Sequence, residues 1–462
     1  MRKKFFILIL IAMAALSCQN GSNLPISYDE ILTNIAVPEF RAVDYCVEDF
    51  GAVADELTDC CAAINEAIVK CSADGGGRVL LCKGVYFCKG PVILKNNVNL
   101  HIEEGSEILF SDTPGDYLPA VLTIWEGTLL YNYSPLVYAY QAENIALTGK
   151  GVINGQASQG FAKFRPQHSA MQNTLRQMGI DGVPVRERYF GKESILPPSM
   201  IQPFGCRNIL IEDVTIKDSP YWVVHPVYCD NVTVRGVTIV SNNLNNDGCD
   251  PEFTTNGLVE DCVFNVGDDA VAIKAGRDND AWTWGVPTRN VIIRDCFFNS
   301  KCNGLCIGSE MAAGVENVYM ENVRIGICHS GIYFKSNLDR GGFIRNVHVR
   351  NVLCDTVRTA FIRFETNYHG ARGGFHPTVF ENFLIEDVVG KCSKECGFYA
   401  VGIENYELND ITLRNVRMDN VPRPFICRHI DNLEFENVLI NGSEISADNV
   451  EAETKSIKLR TF

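Results

Sequence analysis

The stretch EDCVFNVGDDAVAIKAG, residues 260–276, contains two short runs of alternating apolar residues joined by a turn that carries Asp268 and Asp269. It aligns without gaps with RDCFFNSKCNGLCIGSE, residues 294–310, and with ENVRIGICHSGIYFKSN, residues 321–337. Weaker copies are IEDVTIKDSPYWVV, VRGVTIVSNNLNNDGCDPE and LRNVRMDNVPRPFIC. Such repeats, punctuated by Gly, Asn and Asp, predict an all-β fold: a parallel β-helix, or solenoid, whose coils stack at ~4.8 Å.

The repeat also predicts which side chains stack on one another in neighbouring coils. Alternate residues of a strand face opposite sides of the sheet. The columns expected inside the barrel are Val271, Leu305 and Ile332, and Ile273, Ile307 and Phe334. The rows expected to point outward are Ala272, Cys306 and Tyr333, and Lys274, Gly308 and Lys335.

The chain of 462 residues is expected to form a signal segment over 1–18, a tether over 19–40 and one β-helical domain over 41–462. An open coil exposes sheet edges, so the N-terminal end needs a cap. Thr58 is predicted to N-cap a short helix in which Cys61, Ile64 and Ile68 share a face, ending at the glycines 75–77. Residues 158–198 lack strand periodicity and are predicted to be an excursion from the barrel.

The N-terminal segment MRKKFFILILIAMAALSCQN has a basic start and then an apolar stretch from Phe5 to Leu16. This pattern is typical of an export signal and is too short to span a bilayer. Cys18 follows Ser17, which favours a bacterial lipoprotein acylated on Cys18, with ordinary signal-peptidase cleavage as the alternative. The sequence therefore predicts an exported monomer in the periplasm or on the outer membrane, in contact with a membrane only through a lipid.

Charge and cysteine usage exclude several classes of function. The formal net charge of −15 and the pI near 5.1 argue against nucleic acid as a partner, and an acidic substrate would need a local basic cleft. Most of the 19 cysteines lie inside apolar runs, which favours small buried side chains over a disulfide framework. No spacing resembles a zinc site, and no metal or other cofactor is expected.

Three acids are expected to meet at one corner of the solenoid. In NNDGCDPE, Gly248 falls at the repeat position of Ala270, so Asp247 should lie one coil from Asp269 and close to Asp268. Clustered carboxylates are costly unless they are protonated, paired or bound to metal. Three interpretations stay open from the residues alone: solvated turn acids, a calcium site of the kind used by β-helical lyases, or a catalytic acid and base set.

Several motifs together resemble the polygalacturonase family of pectin-degrading glycoside hydrolases, family 28, from about Asp44 to at least Asn346. They are VEDFGAVAD, GGGRVLLCKGVYFCKGPVILKNNVNLHIEEGSEILFSD, NYSPLVYAYQAENIALTGKGVING, SPYWVVHPVYCDNVTV, NNDGCDPE, GDDAVAIKAGRD and NGLCIGSEM. The resemblance implies a right-handed parallel β-helix that hydrolyses α-galacturonosyl or related pectic bonds with inversion. IGSEM and WEGTLLYNYSPLVYAY are more similar to the exo-acting bacterial branch than to fungal endo-enzymes.

The resemblance also implies roles for the acids. The family's Asn-x-Asp matches Asn245 to Asp247, and its Asp pair matches Asp268 and Asp269. Asp268 would then protonate the leaving oxygen, while Asp247 and Asp269 would hold and deprotonate the attacking water. Neighbouring carboxylates raise one another's proton affinity, which allows one of them to stay protonated as the acid.

Two family elements are incomplete in this chain. The Gly-His-Gly turn is replaced by Lys301-Cys302-Asn303-Gly304, and Tyr333 stands at the position of the Arg in Arg-x-Lys. His329 occupies, two coils along, the repeat position of Asp268, and it is a candidate to replace the missing His, with an exposed turn residue as the alternative. Tyr333 is expected to stack on a sugar ring or to donate a hydrogen bond in place of the Arg.

Further residues are expected to bind substrate beside the acids. Lys274 and Lys335 project from one row and, with Arg277, would form the positive site that a uronate needs. His225 aligns with Asp250 if HP matches DP, which puts both on the cleft face, whereas a slip of one residue would bury His225. The Gly-rich loop RFETNYHGARGGFH, residues 363–376, either lines the cleft or is a solvated loop.

The leading prediction is therefore an inverting, exo-acting glycoside hydrolase of pectic oligosaccharides or polysaccharides. A β-helical carbohydrate-binding protein without catalysis is the first alternative, and a calcium-dependent pectic lyase the second. The sequence leaves open whether the bond cleaved lies in oligogalacturonate, xylose-substituted galacturonan or galacturonate next to rhamnose.

Overall fold

The computed structural model describes residues 26–192, 195–446, 450 and 457–459, and the chain winds there into a right-handed parallel β-helix. The repeat alignment is confirmed at residue level. Glu260 pairs with Arg294, and Arg294 pairs with Glu321, in successive parallel strands. The export signal and Cys18 lie outside the described residues.

One face of the barrel, called here the site sheet, carries the acids. It begins with a three-stranded parallel sheet, Val92–Leu94, Val137–Tyr140 and Ile201–Phe204. Isolated parallel bridges through Val224 and Cys249 join it to Val271. The sheet continues through Val271–Ile273, Asn303–Ile307, Ser330–Lys335, Ala360–Glu365, Cys396–Val401 and Arg423–Arg428.

The remaining strands of the barrel belong to one 23-stranded sheet that covers the other two faces. The first of these faces contains Asp44–Cys46, Gly77–Leu81, Val98–Ile102, Glu143–Thr148, Arg207–Glu212, Asp230–Arg235, Thr255–Glu260 and Thr288–Arg294. The second contains Asp55–Asp59, Gly84–Cys88, Ser106–Phe110, Val152–Asn154, Thr215–Lys217, Thr238–Ser241, Val263–Val266 and Phe297–Ser300. Later strands run across both faces or close the end: Val315–Cys328, Phe343–Val357, Val379–Ser393, Leu408–Met418, Ile430–Ile440, Ser443–Glu444 and Ile457–Leu459.

The predicted interior columns are confirmed. Val271, Leu305 and Ile332 are adjacent in register, as are Ile273, Ile307 and Phe334, and all six side chains are fully buried. The outward row of Ala272, Cys306 and Tyr333 also has the predicted register, but it is buried in a small separate cluster against Tyr368. Side chains that point out of the barrel are therefore not all exposed to solvent, because the loop that carries Tyr368 covers this row.

Asparagines at one corner of the coil hold the strands in register. Asn290, Asn317 and Asn346 each adopt a left-handed conformation, with φ between 55° and 59°. Asn317 donates to Asn290 at 3.1 Å, and Asn346 donates to Asn317 at 3.0 Å. Asparagine adopts this conformation more easily than most residues, and its amide can donate to one coil and accept from the next. The Asn-rich punctuation of the sequence is thus a hydrogen-bonded ladder along the barrel.

The N-terminal cap is a helix, Cys61–Ala73, in which Ile64 and Ile68 are buried and Cys61 is half-buried. The prediction that Thr58 caps it was wrong. The strand Asp55–Asp59 runs through this position, the Thr58 hydroxyl donates to Asp55, and Asp59 accepts from the amide of Cys61 instead.

Where the structure describes whole elements, three further helices and several short 3-10 turns lie outside the barrel. In the segment predicted as a tether, Tyr28–Asn34 is helical, and its buried Ile31 packs against Leu258 and Ile292. The others are Arg165–Ile180, inside the predicted excursion, and Asp278–Trp284. The 3-10 turns are Val47–Phe50, Pro114–Tyr117, Phe161–Phe164 and Val185–Glu187, and an antiparallel hairpin pairs Val121–Trp125 with Thr128–Asn132.

The cysteines are packing residues, as predicted. Most of the 18 described cysteines are buried, and none of these 18 forms a disulfide. Among the described residues, no helix combines the length and the hydrophobicity that crossing a membrane requires.

The ladder gives a test of the fold. Replacing Asn317 with Ala should lower the free energy of unfolding by roughly 2–3 kcal/mol, since about 1 kcal/mol is lost per hydrogen bond and left-handed φ costs alanine about 1 kcal/mol more. Asn317→Gly is the matched control, because glycine accepts the same φ and loses only the hydrogen bonds. Urea unfolding followed by circular dichroism measures both, and equal stability of the Ala variant and the parent would contradict the ladder's role.

Candidate active site

The three acids meet as predicted, at the edge of the site sheet. Asp268 and Asp269 occupy the turn that leads into the strand Val271–Ile273. Asp247 lies beside them from the preceding coil, since the amide of Gly248 donates to the Asp269 carbonyl at 2.9 Å. Asn246 anchors this coil by donating to the carbonyls of Ser219 and Tyr221, each at 3.0 Å. The acids are therefore held by backbone register.

The acids open into a cleft of about 440 Å³. Polar and charged side chains dominate its lining. The lining residues are Glu126, Gln172, Arg176, Trp222, Asn245, Asp247, Asp268, Asp269, Lys274, Arg277, Ser309, Glu310, Lys335, Asn337, Asp339, Arg340, Tyr368, His369, Gly370 and Arg372. The predicted group of Asn245, the three acids, Lys274, Arg277 and Lys335 is thus brought together in one cavity.

Asp269 is the acid that the site holds ionised. One of its oxygens accepts a hydrogen bond from Lys335 at 2.8 Å, and the other accepts from the amide and the side chain of Asn303. Burial opposes ionisation of Asp269, but the ammonium groups of Lys335 and Lys274 outweigh it and keep the pKa of Asp269 below its usual value. Asp269 is therefore suited to accept a proton.

Asp268 has the opposite character. Burial and the neighbouring charge of Asp269 raise the pKa of the Asp268 carboxyl. Its side chain is partly exposed to the cleft, whereas Asp247 and Asp269 are almost fully covered. A carboxyl that keeps its proton near a bound ligand is suited to donate it.

Asp247 shares a cation with two other acids. Lys274 lies 3.7 Å from Asp247, 3.8 Å from Asp250 and 3.5 Å from Glu310. Burial and the charge of Asp268 raise the pKa of Asp247, and one of its oxygens has no hydrogen-bond partner among the described residues. Lys274 and Arg277, which contacts Glu310 at 2.6 Å, keep the pKa of Glu310 low despite its burial. The free Asp247 oxygen can bind water or a sugar hydroxyl.

A divalent cation does not suit this arrangement. Asp268, Asp269 and Cys302 each place one potential ligand atom within 4.8 Å of the others. Calcium takes about 6–8 oxygen ligands. This group offers two carboxylates and a thiol, and Lys335 already neutralises Asp269. The donor set therefore favours acid and base chemistry over the calcium-site interpretation.

The excursion predicted over 158–198 closes one side of the cleft. Gln172 and Arg176, on the helix Arg165–Ile180, contact Glu126 at 2.6 and 2.5 Å. Glu126 occupies the turn of the hairpin and also accepts from the Tyr221 hydroxyl at 2.6 Å. The helix Arg165–Ile180, the hairpin turn at Glu126 and the segment that carries Tyr221 together form a wall that is continuous with the lining of the cleft.

Two predicted substrate residues lie beneath the cleft and do not line it. The register prediction was right, because Val224 bridges to Cys249 and so places His225 beside Asp250. Both side chains are nevertheless fully buried. His225 contacts Glu252 at 2.9 Å and packs edge-on against Trp222, which covers it. Their expected direct contact with substrate is thus corrected to a supporting position.

Comparison with known proteins identifies the family. A model of glycosyl hydrolases family 28 matches residues 131–438. The chain belongs to glycosyl hydrolases family 28. It is 36% identical to the crystal structure of a hyperthermoactive exopolygalacturonase from Thermotoga maritima, with a TM-score of 0.87 over 90% of this chain and 96% of that one.

Two curated relatives in the same family extend this comparison. A probable polygalacturonase of Vitis vinifera is 26% identical over 80% of this chain and 71% of that protein. An exo-poly-alpha-D-galacturonosidase of Dickeya chrysanthemi is 27% identical over 77% of this chain and 63% of that protein.

The departures from the family pattern have structural consequences. Cys302 lies one coil from Asp268, at the position where the family has its His. His329 lies at the same position one coil beyond Cys302. His329 is not among the residues that line the cleft, and its Nδ1 lies 3.5 and 3.4 Å from the hydroxyls of Ser330 and Thr359. The expectation that His329 replaces the family His was therefore wrong.

Tyr333 also differs from its expected role. Its side chain is 3% exposed, its hydroxyl donates to Glu365, and Tyr368 packs edge-on against it. Tyr333 therefore cannot stack on a sugar, and the aromatic residues that line the cleft are Trp222 and Tyr368.

The loop after Glu365 supplies residues that the sequence only partly predicted. His369 and Arg372 line the cleft, whereas Arg363 pairs with Glu365 at 3.0 Å and is not part of the lining. Asp339 holds the loop by accepting from the amide of Arg372 at 2.8 Å. Repeat spacing does not reach such contacts, because the loop lies outside the repeating strands.

The wall has a buried ion pair whose removal should loosen it. Arg188 of the excursion and Asp280 form two hydrogen bonds, one at 2.9 Å, and are 2% and 5% exposed. Asp280→Ala should destabilise the wall by about 3–5 kcal/mol, because it leaves a buried guanidinium unpaired. Protease cleavage within 158–198 should become faster, measured by mass spectrometry of the fragments. Asp181→Ala, which removes an exposed acid of the same excursion, should leave cleavage unchanged, and equal resistance of both variants would contradict the pair's role.

Proposed function

We propose that this family 28 hydrolase cleaves α-galacturonosyl bonds in pectic oligosaccharides by inversion, from a chain end. The observation that carries the proposal is the division of the Asp pair: Lys335 donates to Asp269 at 2.8 Å and lowers its pKa, whereas burial and the charge of Asp269 raise the pKa of Asp268. The polygalacturonase and exopolygalacturonase names of the relatives support the substrate class.

The proposed reaction uses the three acids in separate roles. Asp268 gives its proton to the glycosidic oxygen as the bond to the anomeric carbon breaks. A water held by Asp247 attacks the anomeric carbon from the opposite side, and Asp269 accepts the proton of this water. The charges balance, since one carboxyl loses a proton and one carboxylate gains one, and Lys335 stabilises Asp269 before the reaction.

Recognition of the uronate is assigned to the basic side of the cleft. Lys274 and Arg277 already neutralise Glu310, so their charges are partly used. Arg372 forms no ion pair with an acid in the described part of the chain, and the nearby charges of Arg176 and Arg277 add to the burial that lowers its pKa. A substrate carboxylate would relieve this repulsion, and Tyr368 offers an apolar surface beside it.

Attack at a chain end follows from the wall. Glu126, Gln172 and Arg176 line the cleft and bond to one another there, and we place the end of the bound chain on their side. A closed cleft admits a terminus, whereas an endo-acting enzyme needs a groove that is open at both ends. We further propose that the protein is exported as a monomer and anchored through Cys18, on the basis of its N-terminal sequence.

The reaction can be tested with oligogalacturonates of defined length. Release of saturated products shortened from one end, with inverted anomeric configuration in ¹H NMR, is expected. Asp268→Asn should lower kcat by about 10²–10⁴-fold, because the general acid is lost. Asp295→Asn makes the same chemical change at an exposed turn outside the cleft, so it is the control and should keep the activity of the parent. Unsaturated products would indicate a lyase, and binding without products a binding protein.

Lys335 should set the acidic limb of the pH profile. The base must be ionised, so kcat/KM should rise with pH as Asp269 loses its proton and fall again as Asp268 loses its own. Lys335→Met removes the cation that lowers the pKa of Asp269, and the acidic limb should move to higher pH by about 1–3 units. Lys335→Arg keeps the charge and should leave the limb near its original position. An unmoved limb in Lys335→Met would exclude Asp269 as the base.

A further inference from the structure

A second cavity, called here the distal groove, lies on the same side of the barrel as the acids. It measures about 490 Å³. Its lining residues are Thr359, Ala360, Arg363, Lys394, Glu395, Cys396, Tyr399, Pro422, Arg423 and Ile426. None of the residues that line it also lines the catalytic cleft. It is therefore a separate feature that the proposed reaction does not use.

The register of the site sheet places this groove in line with the catalytic acids. In the coils that follow Asp268, strand pairing puts one residue of each coil at the same repeat position. These residues are Cys302, His329, Thr359, Glu395 and Pro422. The groove is built on these last three coils. With strands ~4.8 Å apart, it begins about 14 Å from Asp268 and ends about 24 Å from it. An extended chain with one end at the acids would pass over the groove if it followed the barrel axis.

The groove is basic in a protein that is strongly acidic overall. Arg363, Lys394 and Arg423 line it with one acid, Glu395, whereas the whole chain has a formal charge of −15. Lys394 and Arg423 are exposed and form no ion pair with an acid of the described chain. Cations without partners in this setting indicate an anionic ligand.

Cations recur at one corner position between the two cavities. Lys301, Arg358 and Lys394 occupy this position, one residue before Cys302, Thr359 and Glu395, whereas the coil between Lys301 and Arg358 has the buried Cys328 there. All three side chains are exposed, and Arg358 reaches the Lys301 carbonyl at 3.3 Å. The positive charges therefore recur along the path from the acids to the groove.

The floor of the groove is rigid and partly aromatic. The guanidinium of Arg363 lies 4.9 Å from the ring centres of both Tyr333 and Tyr399, and it pairs with Glu365 at 3.0 Å. One guanidinium nitrogen, Nε, has no hydrogen-bond partner among the described residues. A ring face beside a fixed cation suits an acidic sugar, which presents an apolar face and a carboxylate.

We propose that the distal groove is a remote subsite that binds the carboxylates of an extended acidic oligosaccharide, several sugars away from the bond that is cleaved. Lys394 and Arg423 are its main contacts, and Arg363 with Tyr399 forms its floor. The groove would hold long chains better than short ones and keep the polymer attached between successive cleavages. This inference rests on the proposed function for the identity of the sugar.

Binding of oligogalacturonates of two lengths tests this subsite. In an Asp268→Asn background, which keeps the ligands intact, octagalacturonate should bind more tightly than digalacturonate by isothermal titration calorimetry. Adding Lys394→Ala and Arg423→Ala should weaken octamer binding about tenfold and leave dimer binding unchanged, because the dimer cannot reach the groove. Methyl-esterified octamer, which lacks the carboxylates that both the cleft and the groove would bind, should bind the Asp268→Asn protein at least as weakly as the octamer binds the protein that also carries Lys394→Ala and Arg423→Ala.

The matched control removes the same charges from the outer face of neighbouring strands. Lys391 and Arg417 already pair with acids, at 2.5 Å to Asp355 and 2.9 Å to Asp419. Lys391→Ala with Arg417→Ala should leave octamer binding at the level of the Asp268→Asn protein. An octamer bound no more tightly than the dimer, or equal losses in both double variants, would overturn the groove proposal.

The two proposals fail separately. If the protein hydrolyses no galacturonate while Lys394→Ala with Arg423→Ala still weakens octamer binding, the groove stands and the catalytic proposal is overturned. If hydrolysis proceeds but the octamer binds no more tightly than the dimer, the catalytic proposal stands and the groove proposal is overturned.

Discussion

The pairing of each coil with the next, without a shift in register, is the constraint on which the rest of this structure depends. Asparagines in the left-handed conformation, each bonded to the coil on either side, fix that register at one corner. A slip of one residue would turn every interior side chain outward. It would also separate Asp247 from Asp269, whose adjacency comes from backbone hydrogen bonds between coils.

The same register concentrates charge that an isolated turn could not hold. Asp247, Asp250, Asp268 and Asp269 come from only two coils, and most of their surface is buried. They coexist because Lys335 and Lys274 neutralise part of the cluster and because burial raises the pKa of Asp247 and Asp250, which makes these two carboxyls easier to keep neutral. The acid and base character of the pair is thus a consequence of where two lysines lie, Lys274 on the same coil as the pair and Lys335 two coils away.

The departures from the family pattern show how the cleft is completed in this chain. Cys302 takes the position of the family His, and Tyr333 takes that of the Arg, yet neither the nearby His329 nor Tyr333 reaches the cleft. Tyr368 and Arg372, on a loop held by Asp339, lie there instead. The chemistry is placed by the repeating strands, whereas the contacts that select a substrate come from the loops between them.

The sequence alone was sufficient to predict the features that recur from coil to coil. Gap-free alignment of three coils predicted the solenoid, the interior columns, the convergence of Asp247, Asp268 and Asp269, and the shared row of Lys274 and Lys335, because a parallel solenoid converts repeat position directly into spatial position. It could not predict the burial of His225 and Tyr333, the direction of the His329 ring, or the contacts of Glu126 with Arg176. Those depend on Trp222, Tyr368 and the excursion folding back over the sheet, and such long-range packing leaves no periodic pattern along the chain.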